Sequence, residues 1–150
     1  MDIQTAAAYI PLGSVVGYTY GAFDVLHPGH TRLLRRAKSL CDFLIVGVVA
    51  DGPIKDLKGK DRPVNSLADR LEVVSELRCV DIAIEQPLYD PSNELRALAR
   101  IDILVKGDDW DYIPGTATIQ YMGGKLIKLP YSQGWSSSQT IKRMGLTDGK

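Results

Sequence analysis

The sequence predicts an α/β fold in which a parallel β-sheet is covered by helices on both faces. Short apolar segments alternate with longer amphipathic segments along the chain, which is the pattern of β-α-β units. The chain has 150 residues, of which 45% are hydrophobic and 24% charged, as in ordinary globular domains. We therefore expect one domain built around a single sheet.

Five short apolar segments are the candidate strands. They are rich in branched aliphatic residues and have the length of strands. In chain order they cover residues 15–20, 43–50, 80–85, 102–106 and 125–129.

Three of the segments between the strands have the spacing of amphipathic helices. Between the first two strands, apolar residues recur at helical intervals, at Leu33, Leu34, Ala37 and Leu40. Residues 66–78 and 92–100 repeat this pattern. Helices at these positions would pack on the sheet and connect its parallel strands.

The connection at residues 51–65 differs from the other connections. It contains four basic residues together with two glycines and two prolines. This composition predicts an exposed, mobile, basic loop at the carboxyl end of the second strand. In open α/β sheets, ligands bind at that edge.

The remaining composition limits the location and partners of the chain. Lys plus Arg and Asp plus Glu both number 18, so no overall positive charge attracts nucleic acid. The longest apolar segment, residues 43–50, is far shorter than the roughly 20 residues that cross a membrane. The first residues do not resemble a secretory signal, so we expect a cytoplasmic protein.

The spacing of Cys41 and Cys79 favours buried thiols over redox or metal roles.

The segment GAFDVLHPGH at residues 21–30 joins the first strand to the first helix. His27 and His30 are the only two histidines in the sequence. Because Pro28 suits the first helical turn and Gly29 allows close approach of a ligand, the histidines should frame a helix N-terminus that binds phosphate. Incidental surface histidines and a zinc pair are the alternatives, although zinc needs a third ligand.

Two other polar segments follow predicted strands. KGDDW, residues 106–110, follows the fourth strand, and residues 130–138, which include three consecutive serines, follow the fifth. Each segment alone could be a simple turn or a helix cap. Because parallel strands end at the same edge of the sheet, the segments after strands one, four and five should meet. That convergence predicts a nucleotide site.

These residues resemble the cytidylyltransferase-like nucleotidyltransferases over residues 15–144. GAFDVLHPGH is similar to the family signature G-x-F-D-x-x-H-x-G-H, and WSSS at residues 135–138 stands where the family has I-S-T-T. The resemblance implies a Rossmann-like open sheet of five parallel strands in the order 3-2-1-4-5. It also implies a homodimer, with residues 78–81 at the interface. Residues 1–14 would be an N-terminal extension and residues 145–150 a tail.

Two subfamilies share features with this sequence. KGDDW and RCVD, at residues 78–81, resemble glycerol-3-phosphate cytidylyltransferase from bacteria, whereas LKG at residues 57–59 and RPVN at residues 62–65 resemble heptose-1-phosphate adenylyltransferases. The preferred expectation is transfer of CMP from CTP to a small phosphorylated alcohol by direct in-line attack, with release of pyrophosphate. ATP-dependent transfer to a sugar 1-phosphate and a phosphonate acceptor are alternatives. Ala22 and Tyr131 replace a threonine and an arginine of the cytidylyltransferases, which leaves a nucleotide-sensing module without turnover as a further alternative. The retained histidines, lysines and serines favour an active enzyme.

The resemblance also assigns roles to individual residues. The expected catalytic residues are His27, His30, Lys55, Lys58 and Ser137. The expected nucleotide-binding residues are Tyr20, Gly21, Ala22, Phe23, Gly29, Gly107, Asp109, Trp110, Tyr131, Gly134, Trp135, Ser136 and Ser138. Asp51 and Arg70 are the expected acceptor-binding residues. Mg²⁺ would be bound through the nucleotide phosphates, without dedicated protein ligands.

Overall fold

A computed structural model describes residues 1–130 and 136–145. In this part of the chain, five strands form one parallel sheet in the order β3-β2-β1-β4-β5, which confirms the predicted fold class and strand order. The strands are β1 (Val16–Gly21), β2 (Phe43–Val49), β3 (Ile82–Gln86), β4 (Ile103–Gly107) and β5 (Lys125–Leu129). Each begins and ends within two residues of its predicted segment.

Helices cover both faces of the sheet. They are α1 (Ile3–Tyr9), α2 (Pro28–Ser39), α3 (Asp51–Lys58), α4 (Leu67–Ser75), α5 (Ser92–Leu98), α6 (Thr116–Tyr121) and α7 (Ser137–Arg143). Alternate residues of a strand point to opposite faces, so Leu44 and Ile45 of β2 belong to different core clusters. The cluster around Ile45 includes residues of α1, α3, α5 and α6, and the cluster around Leu44 includes residues of α2 and α4.

Residues 51–65 are the main difference from the sequence-based expectation. Asp51–Lys58 form helix α3, so the prediction of an exposed loop is wrong. Pro53 lies in the first turn of this helix, where a missing backbone N–H costs no hydrogen bond. Ile54 is buried in the core and provides the apolar contact that holds the helix on the sheet.

The segment before β1 also folds onto the domain. Asp2 caps α1 because its carboxylate accepts the Thr5 N–H at 2.8 Å. Ala6 and Ile10 are buried in the core, and the Arg100 guanidinium donates to the Ile10 carbonyl. The segment is therefore integrated into the packing of this face of the sheet.

Two remaining features concern the surface and the thiols. No helix within residues 1–130 and 136–145 has the length and apolar character of a membrane span. Cys41 and Cys79 are free and partly buried, and burial raises the pKa of both thiols.

Candidate functional site

A cavity of about 350 Å³ opens at the carboxyl end of the sheet. It lies where β1 and β4 end side by side, which is the point at which the strand order reverses. Three predicted segments meet there, namely the turn after β1, the turn after β4 and the start of α7. The expected site residues that line the cavity are Tyr20, Gly21, Ala22, Phe23, His27, Gly29, His30, Lys58, Gly107, Asp109, Trp110, Ser136 and Ser137.

The two histidines bind the backbone at the start of α2 in a reciprocal arrangement. His27 is the N-cap residue, and its Nδ1 accepts the Gly29 N–H at 3.0 Å. His30 Nδ1 accepts the His27 N–H at 3.2 Å, and the two rings stack with centroids 3.9 Å apart. Because each Nδ1 is an acceptor, each neutral ring carries its proton on Nε2. The site therefore contains two imidazole N–H donors of fixed tautomer.

The electrostatic surroundings keep these imidazoles neutral at pH 7. Burial, followed by the charges of His27 and Lys58, lowers the pKa of His30 to about 3. Burial also lowers the pKa of His27. The pair consequently acts through hydrogen bonds, and positive charge in the cavity has to come from other residues.

Asp24 fixes the turn between β1 and α2 through buried contacts of its carboxylate. Its buried carboxylate accepts the backbone N–H groups of Val64 and Asn65 at 2.6 and 3.0 Å. Arg62 is also fully buried, and its Nε lies 3.7 Å from the same carboxylate. These contacts join the turn to the segment after α3, so Asp24 braces the turn.

The backbone on either side of Asp24 is strained. Phe23 has φ of 50° and Val25 has φ of 49°, values that residues with a side chain rarely adopt. A strained turn persists only when its surroundings fix it, and the contacts of Asp24 provide that restraint.

The serines at the start of α7 are tied to the same turn. Ser136 caps α7 by accepting the Gln139 N–H at 3.0 Å, and Ser137 donates its hydroxyl to the Asp24 carbonyl. Ser138 accepts from Arg62 Nη1 at 3.1 Å. Ser136 and Ser137 line the cavity, whereas Ser138 braces α7 against the buried arginine. Tyr131, Gly134 and Trp135, which we expected to bind nucleotide, lie outside the described residues.

The two expected catalytic lysines occupy different positions on α3. Lys58 lies in the last turn and lines the cavity, close enough to lower the pKa values of His30 and Lys106. Lys55 is exposed one turn earlier, and it does not line the cavity within the described part of the chain. This geometry identifies Lys58 as the lysine positioned to reach a ligand.

Arg70 is part of the support of the site. Its guanidinium is 1% exposed and donates to the carbonyls of Ala22 and Val49, both at 2.7 Å. It also donates to Asn65 O at 2.9 Å and to an oxygen of Asp51 at 2.6 Å. These contacts occupy four of its five N–H donors with protein acceptors, so Arg70 joins the end of β1, β2 and α3 beneath the cavity. Direct contact of Arg70 with an acceptor, which we expected from the sequence, does not fit this burial.

The far side of the cavity is aromatic. The rings of Tyr89 and Trp110 lie 5.9 Å apart between centroids, and both line the cavity with Asp109. A Cβ on Gly107 would lie 2.8 Å from an Asp109 carboxylate oxygen, so a side chain at this position would displace the Asp109 carboxylate.

Several lining residues were missed from the sequence. They are Leu33, Arg36, Leu57, Tyr89, Lys106 and Pro130. The most consequential is Lys106, which was quoted within KGDDW but assigned no role. Its ammonium is buried in the cavity wall and donates to the Tyr20 carbonyl at 2.7 Å. A lysine that ends an apolar strand at a predicted ligand edge was the available signal.

The described residues provide no dedicated metal cage. Within residues 1–130 and 136–145, no three His, Cys, Asp or Glu side chains are grouped so that they could hold a metal ion. Asp109 is the carboxylate that lines the cavity among these residues. The donor set of the cavity is thus suited to anions, and a divalent cation would fit it as a companion of bound phosphates.

Comparison with known proteins agrees with this geometry. Residues 18–143 match the family model described as cytidylyltransferase-like. A relative named bifunctional protein HldE, from Nitrosococcus oceani, is 44% identical over 133 residues, which cover 86% of this chain and 28% of the relative. A protein of the same name from Paramagnetospirillum magneticum is 40% identical over 136 residues, covering 88% of this chain and 27% of the relative. The chain spans less than a third of the length of these relatives.

Two solved structures share the fold. The lipopolysaccharide core biosynthesis protein from Thermoplasma volcanium superposes with a TM-score of 0.71 at 29% identity, covering 81% of this chain and 100% of that chain. A pantoate-beta-alanine ligase from Francisella tularensis has a TM-score of 0.60 at 15% identity, covering 91% of this chain and 66% of that chain, and is similar in fold alone.

Proposed function

Because the chain belongs to the cytidylyltransferase-like family, we propose that it is a nucleotidyltransferase that transfers a nucleoside monophosphate from a triphosphate to an anionic acceptor. The observation that carries this proposal is the stacked pair His27 and His30, which presents two Nε2–H donors beside Lys58 in one cavity. Neutral donors and a cation at the edge of a parallel sheet suit a polyphosphate.

The chemistry requires little of the protein beyond positioning and charge stabilisation. An oxygen of the acceptor phosphate, already an anion near pH 7, attacks the α-phosphorus of the triphosphate, and the bond from that phosphorus to the bridging oxygen breaks. Pyrophosphate leaves with the bonding electrons. No general base is needed because the nucleophile has no proton to lose. Hydrogen bonds to the leaving pyrophosphate strengthen as negative charge moves onto it, and they thereby lower the activation free energy of the transfer.

His27 and His30 have the right chemistry for that stabilisation. Their Nε2–H groups would donate to oxygens of the α- and β-phosphates, and their fixed tautomers avoid reorganisation during the reaction. Lys58 would neutralise charge on the transferred phosphoryl group from the end of α3. Mg²⁺ carried by the phosphates would supply further charge neutralisation.

ATP and a sugar 1-phosphate are the substrates that the relatives favour. Relatives named bifunctional protein HldE and a solved structure titled lipopolysaccharide core biosynthesis protein both match most of this chain. LKG at residues 57–59 and RPVN at residues 62–65 resemble heptose-1-phosphate adenylyltransferases, and both segments support the site, through Lys58 and through Arg62. From KGDDW we expected CTP and an acceptor of the glycerol 3-phosphate type. The relatives favour ATP and a sugar 1-phosphate instead. A homodimer remains a prediction.

A panel of substrates tests the proposal. Pyrophosphate release is measured with Mg²⁺ and each of ATP, CTP, GTP and UTP, in combination with heptose 1-phosphate, glycerol 3-phosphate or a small alkylphosphonate. We expect the fastest release with ATP and heptose 1-phosphate, together with formation of a nucleoside diphosphate sugar detected by mass spectrometry. Fastest release with CTP and glycerol 3-phosphate would restore the original preference. Calorimetric binding of a triphosphate without pyrophosphate from any acceptor would identify a nucleotide-sensing module.

A further inference from the structure

Lys106 is a buried cation to which the proposed mechanism assigns no role. It is the fourth residue of β4, it is 7% exposed, and it lines the cavity. Its Nζ lies 4.2 Å from the centroid of the Tyr20 ring and 5.4 Å from that of Trp110. Its one hydrogen bond within the described residues is to the Tyr20 carbonyl. An ammonium has three N–H donors, so this contact leaves donor capacity beside the cavity.

The charge of Lys106 is incompletely compensated. Among residues 1–130 and 136–145, no carboxylate lies within 4.0 Å of its Nζ. Asp109 is the carboxylate that raises its pKa, while Lys58 lowers it by repulsion. Burial of an ammonium without a paired anion is costly, and the two aromatic faces offset only part of that cost. The cavity wall therefore holds two cations, Lys58 and Lys106, that an anion between them would stabilise.

From this arrangement we propose that Lys106 contacts substrate directly, with its ammonium bound to a phosphoryl oxygen in the cavity. The proposal rests on the proposed function and adds a second lysine to the site, contributed by β4. The phosphoryl oxygen belongs either to the triphosphate or to the acceptor phosphate. The experiment below separates these two sources.

Binding of an anion by Lys106 should depend on pH. Burial, the largest cause, lowers the pKa of Lys106 to about 8, and a bound anion would raise it again. Affinity for the anion is then highest while the free protein holds Lys106 protonated, and it falls as the pH rises above about 8. Tyr20, whose ring faces the ammonium, stays neutral in this range because burial raises its pKa well above its usual value. Asp109 and Lys58 are the other charged groups that act on Lys106.

The test is calorimetric titration of the full chain with MgATP and, separately, with mannose 1-phosphate, at pH 7 and pH 9. Lys106→Met removes the charge and keeps the length of the side chain, and Lys106→Gln keeps a donor for the Tyr20 carbonyl. Lys125→Met is the matched control, because Lys125 is exposed at the opposite end of the sheet. Thermal melting checks that each variant is folded.

We expect Lys106→Met and Lys106→Gln to weaken binding of one or both ligands by roughly 10- to 100-fold, the effect of losing a charge-assisted hydrogen bond. The ligand whose affinity falls is the one that provides the phosphoryl oxygen bound by Lys106. Wild-type affinity for that ligand should fall roughly tenfold from pH 7 to pH 9, whereas the variants should show no such fall. Lys125→Met should bind as the wild type does.

Three results would overturn the proposal. If the wild type binds both ligands and its affinity for neither changes from pH 7 to pH 9, Lys106 does not contact the anion, and this result does not depend on folding of a variant. If folded Lys106 variants bind both ligands as the wild type does, the same conclusion follows, and the proposed function stands. If the wild type binds neither ligand, the proposed ATP-dependent transfer to a sugar 1-phosphate fails, and this inference fails with it.

Discussion

The rings of His27 and His30 stack 3.9 Å apart, and the Nδ1 atom of each accepts a backbone N–H of the first turn of α2. One pair of residues thus caps the helix and fixes both tautomers. Burial lowers the pKa values of both rings, so the pair is neutral at pH 7 and contributes directed Nε2–H donors. The structural role and the chemical role of these residues can be separated experimentally.

His27→Asn separates the two roles. The asparagine side-chain oxygen can accept the Gly29 N–H as His27 Nδ1 does, so the cap is retained, but the Nε2–H donor is lost. We expect kcat to fall roughly 10²- to 10³-fold with a much smaller change in KM for the triphosphate. Steady-state pyrophosphate release measures both constants.

Ser39→Ala is the matched control for that variant. Ser39 is exposed at the other end of α2, where its hydroxyl bonds the Arg36 carbonyl. The Ser39→Ala variant should keep the wild-type kcat. A folded His27→Asn protein with wild-type kcat would remove the histidine from the mechanism.

The lowered pKa of His30 predicts that the protein loses stability in mild acid. Its pKa is about 3 in the folded protein, against 6.5 for an ordinary histidine. Between these values the unfolded chain binds a proton that the folded chain does not, so the free energy of unfolding decreases as the pH falls below about 6.5. Urea denaturation at pH 7, 6 and 5 should show a steeper decrease for the wild type than for His30→Gln. Parallel decreases in the two proteins would show that folding does not lower the pKa of His30.

Lys58 and Lys55 should differ in their effects on turnover. Lys58 lines the cavity near His30, whereas Lys55 is exposed on the preceding turn of α3. We expect Lys58→Met to lower kcat roughly 100-fold, because a cation beside the transferred phosphoryl group is lost. Lys55→Met should lower it by a much smaller factor. A larger loss for Lys55→Met would mean that α3 changes position when substrate binds.

Arg70→Lys tests whether Arg70 supports the site or binds the acceptor. A lysine cannot reproduce the contacts of the guanidinium with Ala22, Val49, Asn65 and Asp51. We expect the free energy of unfolding in urea to fall by about 2–4 kcal/mol, since buried carbonyls lose a charged donor. Arg32→Lys, at an exposed position on α2, should change it by less than about 0.5 kcal/mol. Unchanged stability with a raised KM for the acceptor would assign Arg70 to acceptor binding.

The sheet and the histidine turn could be predicted because local residues determine them. Each strand is a short apolar segment, and GAFDVLHPGH combines a turn, a helix start and two histidines within ten residues. Helix α3 could not be recognised in the same way. Gly52, Pro53 and nearby lysines are typical of loops, and the contact that decides the structure, burial of Ile54, is tertiary.

The roles of Arg70 and Lys106 depend on burial, which residue type does not report. A signal existed for Arg70, because it lies four residues before Val74 and so shares the buried face of α4. Lys106 ends a strand at the ligand edge, but only the packed rings of Tyr20 and Trp110 show that its ammonium is enclosed. For both residues the sequence marks the position, and the tertiary structure shows the burial that decides the role.

Nitrogen-15 NMR of the imidazoles tests the central claim most directly, because the sequence contains only two histidines. At pH 7 both rings should be neutral with the proton on Nε2, and both Nε2–H resonances should shift when MgATP is added to saturation. Rings that carry the proton on Nδ1, rings that are doubly protonated, or resonances unaffected by bound nucleotide would contradict the account.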